Sequence, residues 1–409
     1  MIYLLILIII LLILIVVFFW TLHFLRLEIK EILVKDSGRF WNIPECDISQ
    51  SIDIRGHHLR IFNNGGEAFH DMLREITAAK RYIFLESYIF RHDRVGRVFK
   101  KLLIKKAREG VAVYVVFDGI GNLFVPHDFW RKLTRAGAQV FEYGSIRSFL
   151  DYFDSKKWIR DHRKMLIIDD KVAFIGGINI GREYEKRWRD THLKIEGSTV
   201  QNIKKIFIDF WNDHKKKKIE ISGEWVDDEN IKIYHNNASA NQFPIRKAYL
   251  DLINGAASNL YLTSSYFVPD EGTMAALINA SNRGVNVEII LPERSDVWIA
   301  QFATFSLIER LLRFGVKIHL YRKTMIHSKM ATADHARSII GSANLDNRSL
   351  RRNYEIIAEI KDSKFAFEIE RMFECDKRNC HSLNLSQWIH RPKSRIFWEN
   401  FFGLFRNYL

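Results

Sequence analysis

The sequence predicts an α/β fold made of two similar halves that form one site at their interface, with a single transmembrane helix ahead of them. Three observations carry that prediction. One eight-residue motif occurs twice. Helical and apolar strand-like segments alternate in the same order around each copy. The N-terminal stretch Ile2–Leu25 contains no Asp, Glu, Lys or Arg.

The apolar stretch comes first. As a helix it spans about 36 Å, enough for a hydrocarbon core of about 30 Å. A cleaved signal peptide fits poorly, because no basic region precedes the run and no small-residue cleavage site follows it. Residues 1–25 are therefore expected to be a single-pass anchor in the inner (plasma) membrane. Arg26, Lys30, Lys35 and Arg39 follow it and no basic residue precedes it. That asymmetry places the body on the cytoplasmic face. Residues 26–45 read as a juxtamembrane linker.

The first half is expected over 46–222. Tyr82–Phe90 is strand-like, Gly96–Glu109 helical, and Val111–Phe117 a buried strand. The second half, 243–385, repeats the order with a strand at Leu260–Phe267, a helix at Gly272–Arg283 and a strand at Val285–Leu291. Each half has a further glycine joint, Ala136-Gly137-Ala138 and Phe314-Gly315-Val316, before a short strand ending in Tyr143 or Tyr321. Such alternation indicates a largely parallel or mixed sheet per half. Between the halves, 223–242 is polar and rich in Asn, as suits a linker. The preceding run Lys215–Lys218 reads as a solvated turn.

Composition narrows the partners. Lys plus Arg is 62 against 48 Asp plus Glu, a net charge of +14, which suits nucleic acid or an anionic lipid surface. The three cysteines, Cys46, Cys375 and Cys380, make no disulfide framework, although Cys375 and Cys380 are close enough in sequence to pair.

The motif carries the chemistry. His162-Arg-Lys164-Met-Leu-Ile-Ile-Asp169 and His327-Ser-Lys329-Met-Ala-Thr-Ala-Asp334 both read H-x-K-x-x-x-x-D. Adding 165 to His162 gives His327. The same shift carries Gly176 to Gly341, Asn179 to Asn344 and Asp190 to Glu355, so the register marks an internal duplication. If His162–Ile168 is a strand, His162 and Lys164 share a face. Asp169-Asp170-Lys171 then makes a turn, and Val172–Ile175 returns as a hairpin that brings Gly177 and Asn179 beside the histidine. Ser342 and Asn344 take those places in the second half.

Phosphodiester transfer explains the set. One neutral imidazole attacks phosphorus, and the second, protonated, donates to the leaving alkoxide. Lys164 and Lys329 offset charge on the phosphoryl oxygens. Asn179, Asn344, Gly177 and Ser342 are candidate phosphate-binding positions. Asp190 and Glu355 are candidates to orient the imidazoles. Asp169 and Asp334 are grouped with the catalytic residues, as site carboxylates or as turn residues that organise it. This chemistry needs no metal and no cofactor.

At these residues the chain resembles the phospholipase D superfamily and, within it, the bacterial cardiolipin synthases. Ala173–Ile180 (AFIGGINI), Trp188–His192 (WRDTH), Ser265–Glu271 (SYFVPDE), Gly341–Ser349 (GSANLDNRS) and Asn353–Glu355 (NYE) extend the likeness. It covers about residue 80 to the C-terminus. The resemblance implies phosphatidyl transfer between two phosphatidylglycerol molecules, giving cardiolipin and glycerol. It implies phospholipid and membrane as partners, leaves the oligomeric state open, and favours His162 as the histidine that carries the phosphatidyl group. Transfer to water, as by a phospholipase D, is the alternative within the same chemistry. A nuclease is more distant, since the apolar N-terminus and aromatic tail argue against nucleic acid. A non-catalytic scaffold conflicts with the intact His and Lys of both halves.

The tail 386–409 repeats Phe397, Phe401, Phe405 and Tyr408 at helical spacing, beside Arg391, Lys393, Arg395 and Arg406. That pattern predicts an amphipathic helix, lying in a membrane interface or packed on the body.

Overall fold

A computed structural model describes residues 51–407 apart from 147, 149, 150, 152, 153, 222 and 223. In it, apolar segments rich in Ile, Val and Phe assemble into two eight-stranded mixed sheets, one per half. The first contains β1 (Ser51–Ile54), β2 (His57–Phe62), β3 (Tyr82–Ser87), β4 (Ala112–Asp118), β5 (Gln139–Tyr143), β6 (Lys164–Ile168), β7 (Val172–Gly176) and β8 (His192–Glu196). Its order is β1-β2-β8-β7-β6-β3-β4-β5.

The second half supplies β9 (Ile231–His235), β10 (Asn259–Thr263), β11 (Phe267–Val268), β12 (Asn286–Pro292), β13 (Lys317–Tyr321), β14 (Met330–Ala333), β15 (Arg337–Gly341), β16 (Leu345–Asp346), β17 (Ile356–Lys361) and β18 (Cys380–Ser382). Here the order is β18-β13-β12-β10-β14-β15-β17-β9, with β11 and β16 paired separately. Read from the other edge and without β1 and β18, the two sheets have the same seven-strand order. In each, one run of three strands is parallel (β3-β4-β5 and β10-β12-β13) and the rest is antiparallel. The duplication read from the motif is therefore a duplication of fold.

Helices cover the sheets. Gly65–Ala78, Arg94–Arg108 and His127–Arg135 bury one face of the first sheet. Pro244–Gly255, Glu271–Asn282 and Trp298–Arg313 do the same for the second. The inner faces share a third core with helices Val200–His214 and Ser363–Lys377, which joins side chains from both halves.

Several boundaries differ from expectation. The strand ahead of the first hairpin starts at Lys164, not His162, because the His162 N–H bonds Tyr354 O of the other half at 3.0 Å. The stretch 223–242 contains β9, an edge strand of the second sheet, in place of an uninterrupted linker. Its alternation of buried Ile231 and Ile233 with half-buried neighbours is the period-two signal that its polar surroundings concealed. Cys380 is a free thiol that donates to Asp376 O, while Cys375 is disulfide-bonded, so the two are not joined. The pairing of Cys375 with Cys380 that their spacing allows is therefore not formed. Among the described residues no helix is long and apolar enough to cross a membrane. The anchor expected at 1–25 and the linker at 26–45 lie outside the described residues.

The tail forms helix Lys393–Gly403. Phe402 packs on Trp298 and Phe302 of helix Trp298–Arg313, at ring distances of 5.0 and 5.7 Å. Phe397, Phe401, Leu404 and Phe405 on its other side are exposed.

Candidate active site

Each histidine sits where its half meets the other. Ahead of the first motif, Asp161 bridges to Tyr354 in parallel. Ahead of the second, Arg189 bridges to Ile326. His162 N donates to Tyr354 O at 3.0 Å, and His327 N donates to Arg189 O at 2.7 Å. The residues that follow these acceptors are Glu355 and Asp190. The backbone pairing thus delivers each carboxylate to the histidine of the opposite half. Nδ1 of His162 lies 2.9 Å from Glu355 Oε1, and Nδ1 of His327 lies 2.7 Å from Asp190 Oδ2. With Nδ1 engaged, Nε2 is the nitrogen left for chemistry on each ring.

All four partners are buried. Burial pushes the His162 imidazole well below its usual range, with Lys164, Lys329 and His327 adding to the shift. His327 is also lowered by burial and by Lys329, but Asp190 opposes this. Those mutual effects place the four cationic groups of the two motifs in one cluster. Burial lowers Lys164 to about 7 and Lys329 to about 8. The carboxylates separate: Asp190 is held down by His327 and Lys329 against its burial, whereas burial carries Glu355 up to about 8.

Aromatic rings wall the site unequally. Tyr88 meets the His162 ring edge-on at 4.8 Å, and the Lys164 ammonium stands 5.3 Å over Tyr88. Tyr184, Trp188 and Tyr266 surround His327 at 5.6, 5.3 and 6.3 Å. Lys329 donates to Ser265 Oγ at 2.6 Å. None of these residues has a site role in the sequence reading, although Trp188, Ser265 and Tyr266 lie in segments that carry the family likeness, and for Tyr88 and Ser265 the reason is definite. In strands β3 and β10 the offset between halves is 177 (Tyr82 pairs with Ala112 as Asn259 pairs with Asn286), not 165, so Tyr88 and Ser265 align only once the sheets are known.

The remaining expected residues divide. Asp169 and Asp334 are not brought to the imidazoles. They occupy the opposite end of their hairpins, where Asp169-Asp170 and Asp334-His335 form two-residue turns with φ between 52° and 58°. The Asp169 carboxylate accepts from the amides of Lys80, Arg81 and Tyr82 at 2.6, 2.8 and 2.8 Å. Asp334 does the same for Ala257, Ser258 and Asn259. Each aspartate fastens the hairpin to the start of the neighbouring strand.

Asn179 has both amide ends occupied, accepting from Ile89 N and donating to the Tyr184 hydroxyl. Asn344 leaves its amide oxygen Oδ1 buried without a hydrogen-bond partner among the described residues. That atom only accepts, so the amide NH2 is the end that can meet a phosphoryl oxygen. Ser342 backs Glu355: its hydroxyl lies 2.5 Å from Oε2 and 3.2 Å from Ile356 O. Gly177 gives room to Asp190, since a Cβ there would stand 2.1 Å from Asp190 Oδ1. Among the described residues no three His, Cys, Asp or Glu side chains are grouped to hold a metal ion.

Known proteins share this plan. A family model described as "Cardiolipin synthase, PLD-like domain" matches residues 72–211 and 249–377. The chain is 32% identical to cardiolipin synthase A of Pseudomonas aeruginosa over 332 residues, covering 79% of this chain and 67% of that one. It is 32% identical to a cardiolipin synthase of Geobacillus kaustophilus, covering 81% and 68%. Among solved structures, the fold is similar to phosphatidylserine synthase of Haemophilus influenzae, with a TM-score of 0.69 at 15% identity, covering 88% of this chain and 96% of that one.

Proposed function

The chain belongs to the cardiolipin synthase family with phospholipase D-like domains, and from that premise we propose how its two halves carry out phosphatidyl transfer between two phosphatidylglycerol molecules. The observation that carries the mechanism is the crossed pairing of His162 with Glu355 and of His327 with Asp190. It makes neither histidine complete without the other half.

The two pairs differ in charge, and the difference sets the roles. His162 is the imidazole held most firmly neutral, so it attacks. A protonated Glu355 can donate through Oε2 to Ser342 Oγ while that hydroxyl turns its own hydrogen to Ile356 O. Oε1 then remains free to accept from Nδ1–H of His162, leaving Nε2 bare for phosphorus. His327 faces an ionised carboxylate that opposes its lowering by burial and by Lys329, so of the two imidazoles it is the better placed to carry a proton and is the acid.

In the first step, Nε2 of His162 bonds to phosphorus and the P–O bond to glycerol breaks. The departing oxygen takes the proton of His327, and glycerol leaves. In the second step, the free primary hydroxyl of another phosphatidylglycerol gives its proton to His327 and attacks phosphorus. The P–N bond breaks and His162 is restored as cardiolipin departs. Lys164, Lys329 and Asn344 balance and bind the phosphoryl oxygens.

The site lies at the C-terminal ends of the parallel strands, where Asp118 at the end of β4 bonds the N–H of Asp161. The loops following β4 and β12 expose Leu123, Phe124 and Val297 beside this end. With the exposed aromatic edge of the C-terminal helix, they offer apolar contacts to a lipid surface. Together with the anchor read at 1–25 and the basic residues after it, they support a membrane-bound enzyme whose body is cytoplasmic. Nucleic acid is not part of this reading.

The alternative product, phosphatidic acid, needs water as acceptor, and the burial of both imidazoles favours a lipid hydroxyl instead. The test is lipid analysis of the purified full chain with phosphatidylglycerol. Cardiolipin and glycerol in equal amounts support the reading, and phosphatidic acid alone contradicts it.

A further inference from the structure

A cavity of about 760 Å³ lies in the second half, between helix Trp298–Arg313, the short helix Leu385–Ile389 and the C-terminal helix. Its floor is aromatic: Phe305 and Trp388 meet edge-on at 5.7 Å, joined by Phe302 and Trp398. Its charged lining is mainly cationic, with Arg294, Arg322 and Arg395 against Glu293, beside neutral polar groups such as Asn384 and Gln387. Arg322 is paired with Glu293 at 3.1 Å, and Arg395 with Glu399 at 2.9 Å. Arg294 is exposed and has no ion pair among the described residues. The Arg395 guanidinium also lies over Phe305 and Trp388, at 4.7 and 5.1 Å.

One group in this lining is unsatisfied. Trp388 is 6% exposed, and its indole N–H is buried with no hydrogen-bond partner. A donor left so has lost its water without gaining an acceptor, an arrangement that favours a ligand supplying one. A strong acceptor beside arginines and above an aromatic floor describes a phosphate with hydrocarbon attached.

Two features place a membrane lipid there. The helix that contributes Ser394, Arg395 and Trp398 to the cavity exposes Phe397, Phe401 and Leu404 on its outer side. Inward, Gln301 and Phe305 line both this cavity and a small enclosed space bounded by Ser265 and Tyr266, next to Lys329. The cavity therefore stands between an apolar outer edge and the wall of the catalytic cluster. We infer that it binds the phosphate and the first acyl methylenes of an anionic phospholipid, at a site separate from the two catalytic histidines. The inference rests on the reading of the protein as an enzyme acting on phospholipids.

The test uses the full chain in neutral detergent micelles with a phosphatidylglycerol that carries a photoreactive diazirine near the head of one acyl chain. Labelled peptides are mapped by mass spectrometry, and cardiolipin is measured in the same samples. The expected result is label within 298–305 or 381–398, about tenfold weaker with the corresponding phosphatidylcholine. Trp388→Phe, which keeps the ring and removes only the N–H, and Arg294→Gln should each lower that label severalfold while cardiolipin is still made. Equal labelling by the two lipids would overturn the inference. So would label that disappears on adding inorganic phosphate, which marks a phosphate site, or label confined to peptides carrying His162 and His327. Cardiolipin formed without cavity label refutes this site and spares the catalytic reading. Cavity label without cardiolipin or glycerol refutes the catalytic reading and spares the site.

Discussion

A methyl group on Gly177 would stand 2.1 Å from Oδ1 of Asp190, the carboxylate that holds His327. Gly177→Ala should therefore displace that carboxylate and cost about two orders of magnitude or more in kcat, with the folded protein retained. Circular dichroism beside turnover checks this, and a variant as active as the parent contradicts the positioning role given to Asp190. The lysines supply a second expectation at this scale. Both ammoniums are charged at low pH and lose that charge as pH rises, at about 7 for Lys164 and about 8 for Lys329 in the empty site. The free enzyme should lose phosphate affinity over that interval, so kcat/KM falls further across about pH 7–8, above the limb set by the acid His327, which burial lowers from its usual range. Bound phosphodiester raises both lysines, so the alkaline limb of kcat lies higher. Coincident alkaline limbs in the two profiles would count against lysines that meet the phosphate. His162, lowered by burial, stays neutral across the same range and sets no limb there.

At the scale of elements, the hairpin explains why an aspartate closes each motif. Asp169 combines a left-handed backbone, φ 52°, with a carboxylate that gathers three amides of the β3 entry. Asp169→Ala loses both and should destabilise the chain by about 2–4 kcal/mol, while Asp169→Asn keeps an acceptor and a tolerant backbone and should cost less. Denaturant unfolding measures the difference, and the folded fraction of either variant should turn over at nearly the parental rate. A folded but inactive Asp169→Asn protein would put the carboxylate back in the chemistry. These elements also show what sequence can carry. From the histidine ahead of β6 or β14 through the Gly and Asn positions after each hairpin, the two halves keep one offset, so the twin hairpins are legible in sequence apart from where the first strand starts and what the closing aspartates do. Tyr88, Ser265 and Tyr266 sit behind strands where the offset changes, and the signal stops there. Which carboxylate serves which histidine was invisible, because Asp190 and Glu355 are equivalent in sequence and exchange partners only through the backbone bridges at Tyr354 and Arg189.

The whole molecule is held as one site by contacts that cross between halves. Arg189 of the first half makes a two-pronged pair with Asp376 of the second, 2.8 Å for each prong, with both residues buried. Arg163 of the first half lies 5.1 Å over the Tyr354 ring. Asp376→Ala would leave a buried guanidinium unpaired and should cost about 3–5 kcal/mol, measured as a lowered unfolding midpoint. Because Arg189 O holds the N–H of His327, residual activity should fall with it. An unchanged midpoint would show that the halves do not depend on this pair. The direct test of two histidines serving one phosphorus is stoichiometry of the covalent intermediate. A phosphatidyl ester of p-nitrophenol needs no acid to leave, so the His327→Ala protein should release one p-nitrophenol per chain in a burst. It should retain a single phosphatidyl group, located by mass spectrometry on His162, and His162→Ala should give neither burst nor adduct. Two groups per chain, or an adduct on His327 when His162 is absent, would contradict a single shared site.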